Sequence, residues 1–269
     1  MLSKLKSLYH KSNLKFGLEI PRSIEHAHRI DATNGNHFWR DAIEKEMTNV
    51  KIAFRFLDDK IAPPVGHTRI NCYIIFDVKM DLTRKARFVA GSHMTNPPTS
   101  MTYANVVSRD SVRIYFLLAA LNNCEILTGD IGNAYLNAFT TEKIYYRAGL
   151  EWGETMKGRV VVIVRTLYGL KTSANTWRTH LCTTLQKKMN FQSSHADNDV
   201  WIKADTKADG TEYYTYILIY VDDILIVSDN PSYYMKQPQA AYYVKENSIC
   251  LPRLHVGAEI KKVRDRTGK

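Results

Sequence analysis

Two adjacent carboxylates interrupt the most apolar stretch of the chain. Asp222 and Asp223 lie between the runs YILIYV and ILIV. Burial and mutual repulsion both oppose the ionisation of neighbouring carboxyl groups, so a positive partner is expected beside them. A solvated hairpin turn is the alternative interpretation, because aspartate is common in turns. A tight turn that directs both carboxylates towards a shared Mg²⁺ ion satisfies both interpretations.

A third carboxylate, Asp130, ends another predicted strand in the segment TGDIGNAYLN. If it meets Asp222 and Asp223 in space, the three supply oxygen ligands for two Mg²⁺ ions, which can activate a 3′-hydroxyl and stabilise a leaving pyrophosphate. An ordinary strand-end residue is the alternative, because sequence spacing does not establish the meeting. A metal-dependent nuclease or phosphodiesterase would use the same carboxylates, although no histidine lies near 222–223 in sequence to act as a general base.

The spacing of apolar residues predicts the helices and strands that must position these carboxylates. Helical spacing predicts one helix opened by residues 34–36, one capped by Ser111 and one from about Ser173. Their apolar stripes are Trp39, Ile43, Met47 and Val50; Ile114, Leu117, Leu118 and Leu121; and Trp177, Leu181, Leu185 and Met189. Strands are predicted at 51–57 (with Ile52, Phe54 and Phe56 on one side), 70–78, 84–90, 125–131, 143–147, 160–164, 200–203, 212–221 and 224–227. This order predicts an α+β fold rather than a doubly wound parallel sheet.

The composition is that of a globular protein with a buried core. The chain has 269 residues, of which 45% are hydrophobic and 24% charged, which excludes disordered, collagen-like and disulfide-stapled classes. A net charge of +10 makes a polyanion, either nucleic acid or an anionic membrane, the first partner to test. Most of this charge lies at the two ends, because residues 1–15 contain four lysines and no acid, and residues 261–269 contain five basic residues against Asp265.

The chain lacks the motifs of membrane-spanning, secreted and zinc-binding proteins. Its most apolar run is shorter than the about 18 residues of a membrane span and is cut by the two aspartates. The N-terminal residues lack the apolar core of a secretory signal, so the chain is expected to stay inside a cell. The four cysteines, Cys72, Cys124, Cys182 and Cys250, form no CxxC pair and are expected to be reduced thiols rather than a zinc site.

Seven sequence blocks, in a fixed order, give the chain a family resemblance. From about Lys15 to Lys262 it resembles the reverse transcriptase domain of Ty1/copia-type retrotransposon polyproteins. The blocks are FGLEIPRSIEHAHRIDATNGNHFWRDAIEKEM at 16–47, RKARFVAG at 84–91, TYANVVSRDSVR at 102–113, GDIGNAYLN at 129–137, LYGLK at 167–171, YVDDILIVS at 220–228 and HVGAEI at 255–260.

The resemblance implies a right-hand polymerase with fingers and palm, in which the palm is an antiparallel sheet packed on helices and the thumb is largely absent. It assigns 1–36 to an N-terminal lead-in, 37–110 and 138–172 to the fingers, 111–137 and 173–260 to the palm, and 261–269 to a basic tail truncated before the thumb. The implied activity is RNA-directed DNA polymerisation. Its implied partners are a primed RNA or DNA template, dNTPs and the integrase and RNase H segments of a polyprotein, with no membrane. The implied location is the cytoplasm, within virus-like particles, and the nucleus.

The resemblance also implies roles for individual residues. Asp130, Asp222 and Asp223 become the catalytic ligands of two Mg²⁺ ions, for which Mn²⁺ can substitute. Tyr135 becomes an aromatic gate against the 2′-hydroxyl of the nucleotide, with a half-buried core tyrosine as the alternative. The implied dNTP-binding residues are Lys85 and Arg87 on the fingers hairpin, together with Tyr168, Gly169 and Lys171 beside the nascent base pair. Val256 and Gly257 fall where the family supports the primer end. A solvated basic face is the alternative for Lys85 and Arg87.

Three departures from the family pattern favour a second hypothesis. Thr172–Asn175 replaces the usual Gln-Ala-Pro-Arg. Pro238, inside the helical stretch 233–246, and the lack of the expected glycine in 247–252 argue against an intact last palm helix. The third departure is the expected absence of a full thumb. The second hypothesis is therefore a catalytically silent retrotransposon remnant that at most binds nucleic acid.

Overall fold

The computed structural model describes residues 14–58, 61–92, 95, 97–98, 101–252, 254–255 and 258–261. Within this part the helices are α1 (Ile24–Asn34), α2 (Phe38–Val50), α3 (Arg109–Leu121), α4 (Ser173–Lys187) and α5 (Pro231–Ala241). The strands are β1 (Leu14–Lys15), β2 (Leu18–Glu19), β3 (Phe54–Phe56), β4 (Thr68–Arg69), β5 (Asn71–Val78), β6 (Arg84–Gly91), β7 (Glu125–Asp130), β8 (Ile144–Arg147), β9 (Val160–Ile163), β10 (Gln192–Ser193), β11 (Val200–Thr206), β12 (Glu212–Tyr220), β13 (Asp223–Ser228), β14 (Leu254–His255) and β15 (Ala258–Glu259). Helices packed on mostly antiparallel sheets confirm the predicted α+β class.

The chain divides into two compact units, each built from two segments. The first unit is Met1–Thr102 with Ala138–Ser173, and the second is Tyr103–Asn137 with Ala174–Lys269. No helix among the described residues is both long enough and apolar enough for a membrane span.

In the first unit, α2 packs on the antiparallel hairpin of β5 and β6. The helix buries its predicted stripe of Trp39, Ile43, Met47 and Val50, which confirms that prediction. Trp39 meets Phe76 of β5 edge to face at 5.6 Å between ring centroids. The Glu46 carboxylate accepts a hydrogen bond from the Phe88 backbone N–H at 2.8 Å. The hairpin is therefore attached to the helix both by its core face and by its backbone.

A second sheet of the first unit has the order β3-β9-β8-β4. The predicted strand at 51–57 is only partly correct, because residues Lys51–Ala53 form a 3-10 turn and the strand is limited to Phe54–Phe56. Ile52 is 58% exposed, whereas Phe54 is buried. The two residues do not share one side because the turn breaks the two-residue period that alternation requires.

The second unit is built on a sheet with the order β10-β11-β12-β13-β7. One face packs on α4 and α5 through residues such as Ile217, Ile219, Ile224 and Ile226, with Trp177 and Leu181 contributed by α4. The opposite face packs on α3 through Leu218, Leu225 and Val227. Alternation along β12 and β13 explains this division, because successive side chains of a strand point to opposite faces.

Two helices of the second unit differ from the sequence predictions. The N-cap of α3 is Ser108 rather than Ser111, and its Oγ accepts from the Ser111 backbone N–H at 3.0 Å. Helix α3 buries Val112 and Ala119 and leaves part of the predicted apolar stripe exposed, namely Ile114, Leu117 and Leu121.

Helix α5 is intact across Pro238, so the argument against a helix there is wrong. Asn230 caps its start with Pro231 in the first turn, where the missing N–H costs no intrahelical bond. Pro238 is buried, and its carbonyl accepts from the Tyr242 N–H at 2.8 Å. Packing therefore offsets the one hydrogen bond that proline removes from the helix interior.

Candidate active site

The antiparallel register of the second unit brings the predicted carboxylates into one region. Asp223 of β13 lies directly opposite Asp130 of β7, and Tyr220 of β12 lies opposite Asp223. Val221 and Asp222 are therefore the two-residue loop of the β12–β13 hairpin. Asp130, Asp222 and Asp223 are called the carboxylate site below.

The hairpin loop has a strained backbone that two hydrogen bonds hold. Val221 adopts φ 60°, in the left-handed region that a β-branched residue avoids at a cost of order 1–3 kcal/mol. The Trp177 indole Nε1–H donates to the Val221 carbonyl at 2.9 Å. The Ile131 N–H donates to the Asp222 carbonyl at 2.8 Å. These bonds connect the loop to α4 and to the end of β7. They therefore fix the backbone from which the Asp222 side chain projects.

The electrostatics of the carboxylate site disfavour three negative charges. Partial desolvation, together with the nearby carboxylates of Asp222 and Asp130, raises the pKa of Asp223 to about 6, and Lys245 acts in the opposite direction. Burial and the Asp222 carboxylate raise the pKa of the Tyr135 hydroxyl. The site therefore concentrates negative charge and favours a cation.

Asp130 is held by a turn that follows α5. The Lys245 ammonium donates to Asp130 Oδ2 at 2.6 Å, and the Lys245 backbone N–H donates to the Asp130 carbonyl at 3.0 Å. The Asp130 N–H donates to Ser248 Oγ at 2.8 Å. Asp130 Oδ1 is buried and has no hydrogen-bond partner. Sequence reasoning missed Lys245 and Ser248, and the one available signal was that Lys245 is the only basic residue in 237–252.

The donor chemistry of this site fits a magnesium ion. Three carboxylates supply the hard oxygen ligands that Mg²⁺ prefers, and the unpartnered Oδ1 of Asp130 is a buried acceptor that a cation would satisfy. Among the described residues, however, no group of three or more His, Cys, Asp or Glu side chains is arranged as a metal-binding cluster.

The first unit contains the residues predicted to bind the nucleotide, apart from Tyr135. Lys85 and Arg87 lie on the same face of β6, opposite Asp77 and Ile75 of β5. The Arg87 guanidinium lies over the Tyr168 ring, 5.2 Å from its centroid. Lys171 Nζ donates to the Thr95 carbonyl at 2.5 Å. These residues, together with Gly169, are called the hairpin cluster below.

Gly169 is required by its contact with β6. It has φ 91°, and a Cβ added to it would lie 2.1 Å from the Ala90 carbonyl oxygen. The Ala90 N–H donates to the Tyr168 carbonyl at 2.8 Å, and Ser92 Oγ donates to the Gly169 carbonyl at 2.5 Å. The absence of a side chain lets this segment hydrogen-bond to the strand at close range.

The unusual residues after Lys171 have structural contacts. Thr172 donates through its backbone N–H and its Oγ1 to the Glu142 carboxylate, at 3.1 and 2.6 Å. Ser173 Oγ donates to the Leu167 carbonyl at 2.6 Å. Both side chains are buried. This departure from the family pattern is therefore compatible with an ordered fold.

The three remaining predicted site residues are Tyr135, Val256 and Gly257. Tyr135 belongs to a 3-10 turn, Ala134–Asn137, in the second unit. Val256 and Gly257, predicted to support the primer end, lie outside the described residues. The strands that flank them, β14 and β15, pair antiparallel.

Comparisons with known proteins converge on one family. A family model described as "Reverse transcriptase (RNA-dependent DNA polymerase)" matches residues 59–242. The "Retrovirus-related Pol polyprotein from transposon RE1" of Arabidopsis thaliana is 29% identical over 243 residues, which cover 86% of this chain and 16% of the polyprotein. The "Transposon Ty1-BL Gag-Pol polyprotein" of Saccharomyces cerevisiae is 30% identical over 166 residues, which cover 60% and 9%.

Among solved structures, the foamy viral protease-reverse transcriptase in complex with double-stranded DNA matches with a TM-score of 0.44 and 15% identity. That match covers 80% of this chain and 32% of the viral chain. The chain thus spans only a small part of the polyproteins that it resembles.

Proposed function

The chain belongs to the reverse transcriptase (RNA-dependent DNA polymerase) family, and we propose that it is the fingers and palm of a copia-type enzyme that adds dNTPs to a primer 3′-hydroxyl on an RNA or DNA template. The observation that carries this proposal is the pairing of Asp223 with Asp130, with Asp222 in the adjoining hairpin loop. Its partners in a polyprotein are integrase and RNase H segments.

In the second unit, Asp130, Asp222 and Asp223 hold the two Mg²⁺ ions of the proposed reaction. When bound, such ions supply Lewis-acid activation of the hydroxyl and stabilise the negative charge on the pyrophosphate. The raised pKa of Asp223 supports this role, because a bound cation would offset the repulsion among the carboxylates and so stabilise the site. Tyr135 excludes a ribose 2′-hydroxyl by the bulk of its ring. The Asp222 carboxylate contributes to the raised pKa of the Tyr135 hydroxyl.

In the first unit, Lys85 and Arg87 bind the triphosphate oxygens of the dNTP. The planar guanidinium of Arg87 suits phosphate oxygens, and the Tyr168 ring beneath it limits its freedom. Tyr168, Gly169 and Lys171 present the segment that contacts the nascent base pair. Val256 and Gly257 support the primer end.

Primer extension with the Asp222→Asn variant tests the proposal. The unsubstituted protein should extend a primer on an RNA template with dNTPs and Mg²⁺, and Asp222→Asn should lose at least about 1,000-fold in rate because a neutral amide binds metal poorly. Asp209→Asn is the matched control. Asp209 lies in an exposed turn of the same unit, where it accepts from the Thr211 N–H at 2.9 Å, so its substitution should leave the rate unchanged.

Failure of the folded, unsubstituted protein to extend primers with either Mg²⁺ or Mn²⁺ would contradict the proposed activity. Circular dichroism would establish folding in the same samples.

A second candidate is a nucleic-acid-binding remnant without catalysis. It is favoured by the absence of a metal-binding side-chain cluster among the described residues and by the Lys245 ion pair on Asp130. Salt-sensitive binding of a primer–template, with no nucleotide incorporation, is its expected signature.

A further inference from the structure

The outer edge of β7 is covered by the segment Tyr243–Cys250, called the edge segment below. The Gly132 N–H donates to the Tyr243 carbonyl at 2.8 Å, and the Thr128 N–H donates to the Cys250 carbonyl at 2.9 Å. A Cβ on Gly132 would lie 2.5 Å from a Tyr243 ring carbon, so the contact is close. The edge segment therefore runs beside Asp130 and is attached on both sides of it.

Two anchors of Asp130 within the edge segment are independent of any side-chain charge. The Asp130 carbonyl accepts from the Lys245 N–H at 3.0 Å, and the Asp130 N–H donates to Ser248 Oγ at 2.8 Å. Ser248 Oγ in turn donates to the Lys245 carbonyl at 2.6 Å. The backbone of Asp130 is thus fixed whether or not position 245 carries an ammonium group.

The Lys245 ammonium adds a third contact, to the carboxylate itself. Its Nζ lies 2.6 Å from Asp130 Oδ2, and the two side chains are 42% and 28% exposed. It also lowers the electrostatic cost of ionised Asp223. The carboxylate site therefore contains a cation supplied by the protein itself.

Resting on the proposed function, we propose that Lys245 is a built-in competitor of the divalent ion, which occupies Asp130 in the metal-free protein and lowers the affinity of the carboxylate site for metal. A divalent ion on Asp130 and an ammonium group on the same carboxylate repel each other. Metal binding therefore requires Lys245 to move away or to remain at an electrostatic cost. Because the backbone anchors persist, removal of the ammonium group leaves Asp130 in place and removes the competing charge from its carboxylate.

Titration with Mn²⁺ tests this inference without any catalytic readout. The electron paramagnetic resonance signal of the free ion measures how much Mn²⁺ remains unbound. Lys245→Met should bind Mn²⁺ about two- to fivefold more tightly than the unsubstituted protein, the range expected when a partly exposed charge is removed. Lys245→Arg keeps the charge and should stay within about twofold of the unsubstituted protein. Lys245→Gln, which keeps a polar donor, should follow Lys245→Met and serves as a second neutral variant if methionine impairs folding.

Lys207→Met is the matched control. Lys207 pairs with Asp229 at 3.5 Å in the same unit, so its substitution removes one positive charge and one ion pair from elsewhere in the unit. It should change Mn²⁺ affinity less than about twofold, because Lys207 lies by the β11–β12 turn, at the opposite end of the sheet from the β12–β13 loop, beyond the screening length.

The outcomes separate this inference from the proposed function. Unchanged or weaker Mn²⁺ binding in both folded neutral variants would overturn the role of Lys245, while loss of binding in Asp222→Asn would still support the metal site. Binding by the neutral variants alone would support the inference in its strongest form. Absence of Mn²⁺ binding in every variant would overturn both.

Discussion

The hairpin cluster of the first unit and the carboxylate site of the second are held in place by different forces. Gly169 lets its segment hydrogen-bond to β6 where a Cβ would lie 2.1 Å from the Ala90 oxygen. In the carboxylate site, hydrogen bonds from Trp177 and Ile131 hold a loop that contains a left-handed valine and sits among like charges. Both sites use hydrogen bonds. The first depends on the steric fit that lets them form, whereas the second uses them to hold a loop against strain and repulsion.

The largest expected effect is on the steric fit of the first unit. Gly169→Ala should destabilise the protein by about 3 kcal/mol, because the new Cβ meets a backbone oxygen and the residue has positive φ. Gly210→Ala is the matched control, with φ 86° and open space around its Cβ, and should cost only about 1 kcal/mol. Urea unfolding measures both values, and equal costs would show that the contact with Ala90 is unimportant.

A smaller effect is expected on the hydrogen bonds of the second unit. Trp177→Phe should cost about 1–2 kcal/mol in unfolding free energy, because the partly buried Val221 carbonyl loses the indole donor that holds the strained loop. It should also lower the primer-extension rate, since the direction of Asp222 is no longer fixed.

Trp201→Phe provides the comparison for this hydrogen bond. The Trp201 Nε1 is buried without a hydrogen-bond partner, so its removal should relieve a desolvation cost. The predicted result is a smaller loss of stability than in Trp177→Phe. A loss of stability as large as that of Trp177→Phe would mean that ring packing, rather than the bond to Val221, dominates at both positions.

Much of the second unit could be predicted from local sequence. The strands around Asp222 and Asp223 are apolar and end at two polar residues, and such a pattern has few alternatives to a hairpin. The family resemblance, confirmed by the family match, predicted that Asp130 belongs with Asp222 and Asp223. The catalytic and nucleotide-binding roles of these residues stay predictions.

Long-range partners were beyond the reach of the sequence. Periodicity shows that Ile114, Leu117 and Leu121 share a face of α3, but not that this face is exposed. The ion pair between Lys245 and Asp130 joins residues 115 positions apart, and it depends on how the edge segment runs along β7. In the same way, the helix continues across Pro238 because that residue is packed in the core, which its intrinsic helix propensity does not predict.

The smallest expected effect comes from repulsion within the carboxylate site. Because the pKa of Asp223 is raised to about 6 from 3.8, the folded state binds a proton more tightly than the unfolded state does. The stability contributed by this proton is fully present below pH 3.8 and is lost as the pH rises through about 6. Asp223 lies at an exposed position, so solvent screening reduces the expected change to about 1 kcal/mol.

Asp223→Asn should therefore be more stable than the unsubstituted protein at pH 7.5 and show little advantage at pH 4, while it loses primer extension. Urea unfolding at a series of pH values measures the difference, in which the titration of groups shared by both proteins cancels. If Asp223→Asn were more stable by the same free energy of unfolding at every pH, repulsion among the carboxylates would not destabilise the site. In that case the contrast between the two units would lie in hydrogen bonding alone, because the carboxylates would carry no electrostatic cost for a cation to offset.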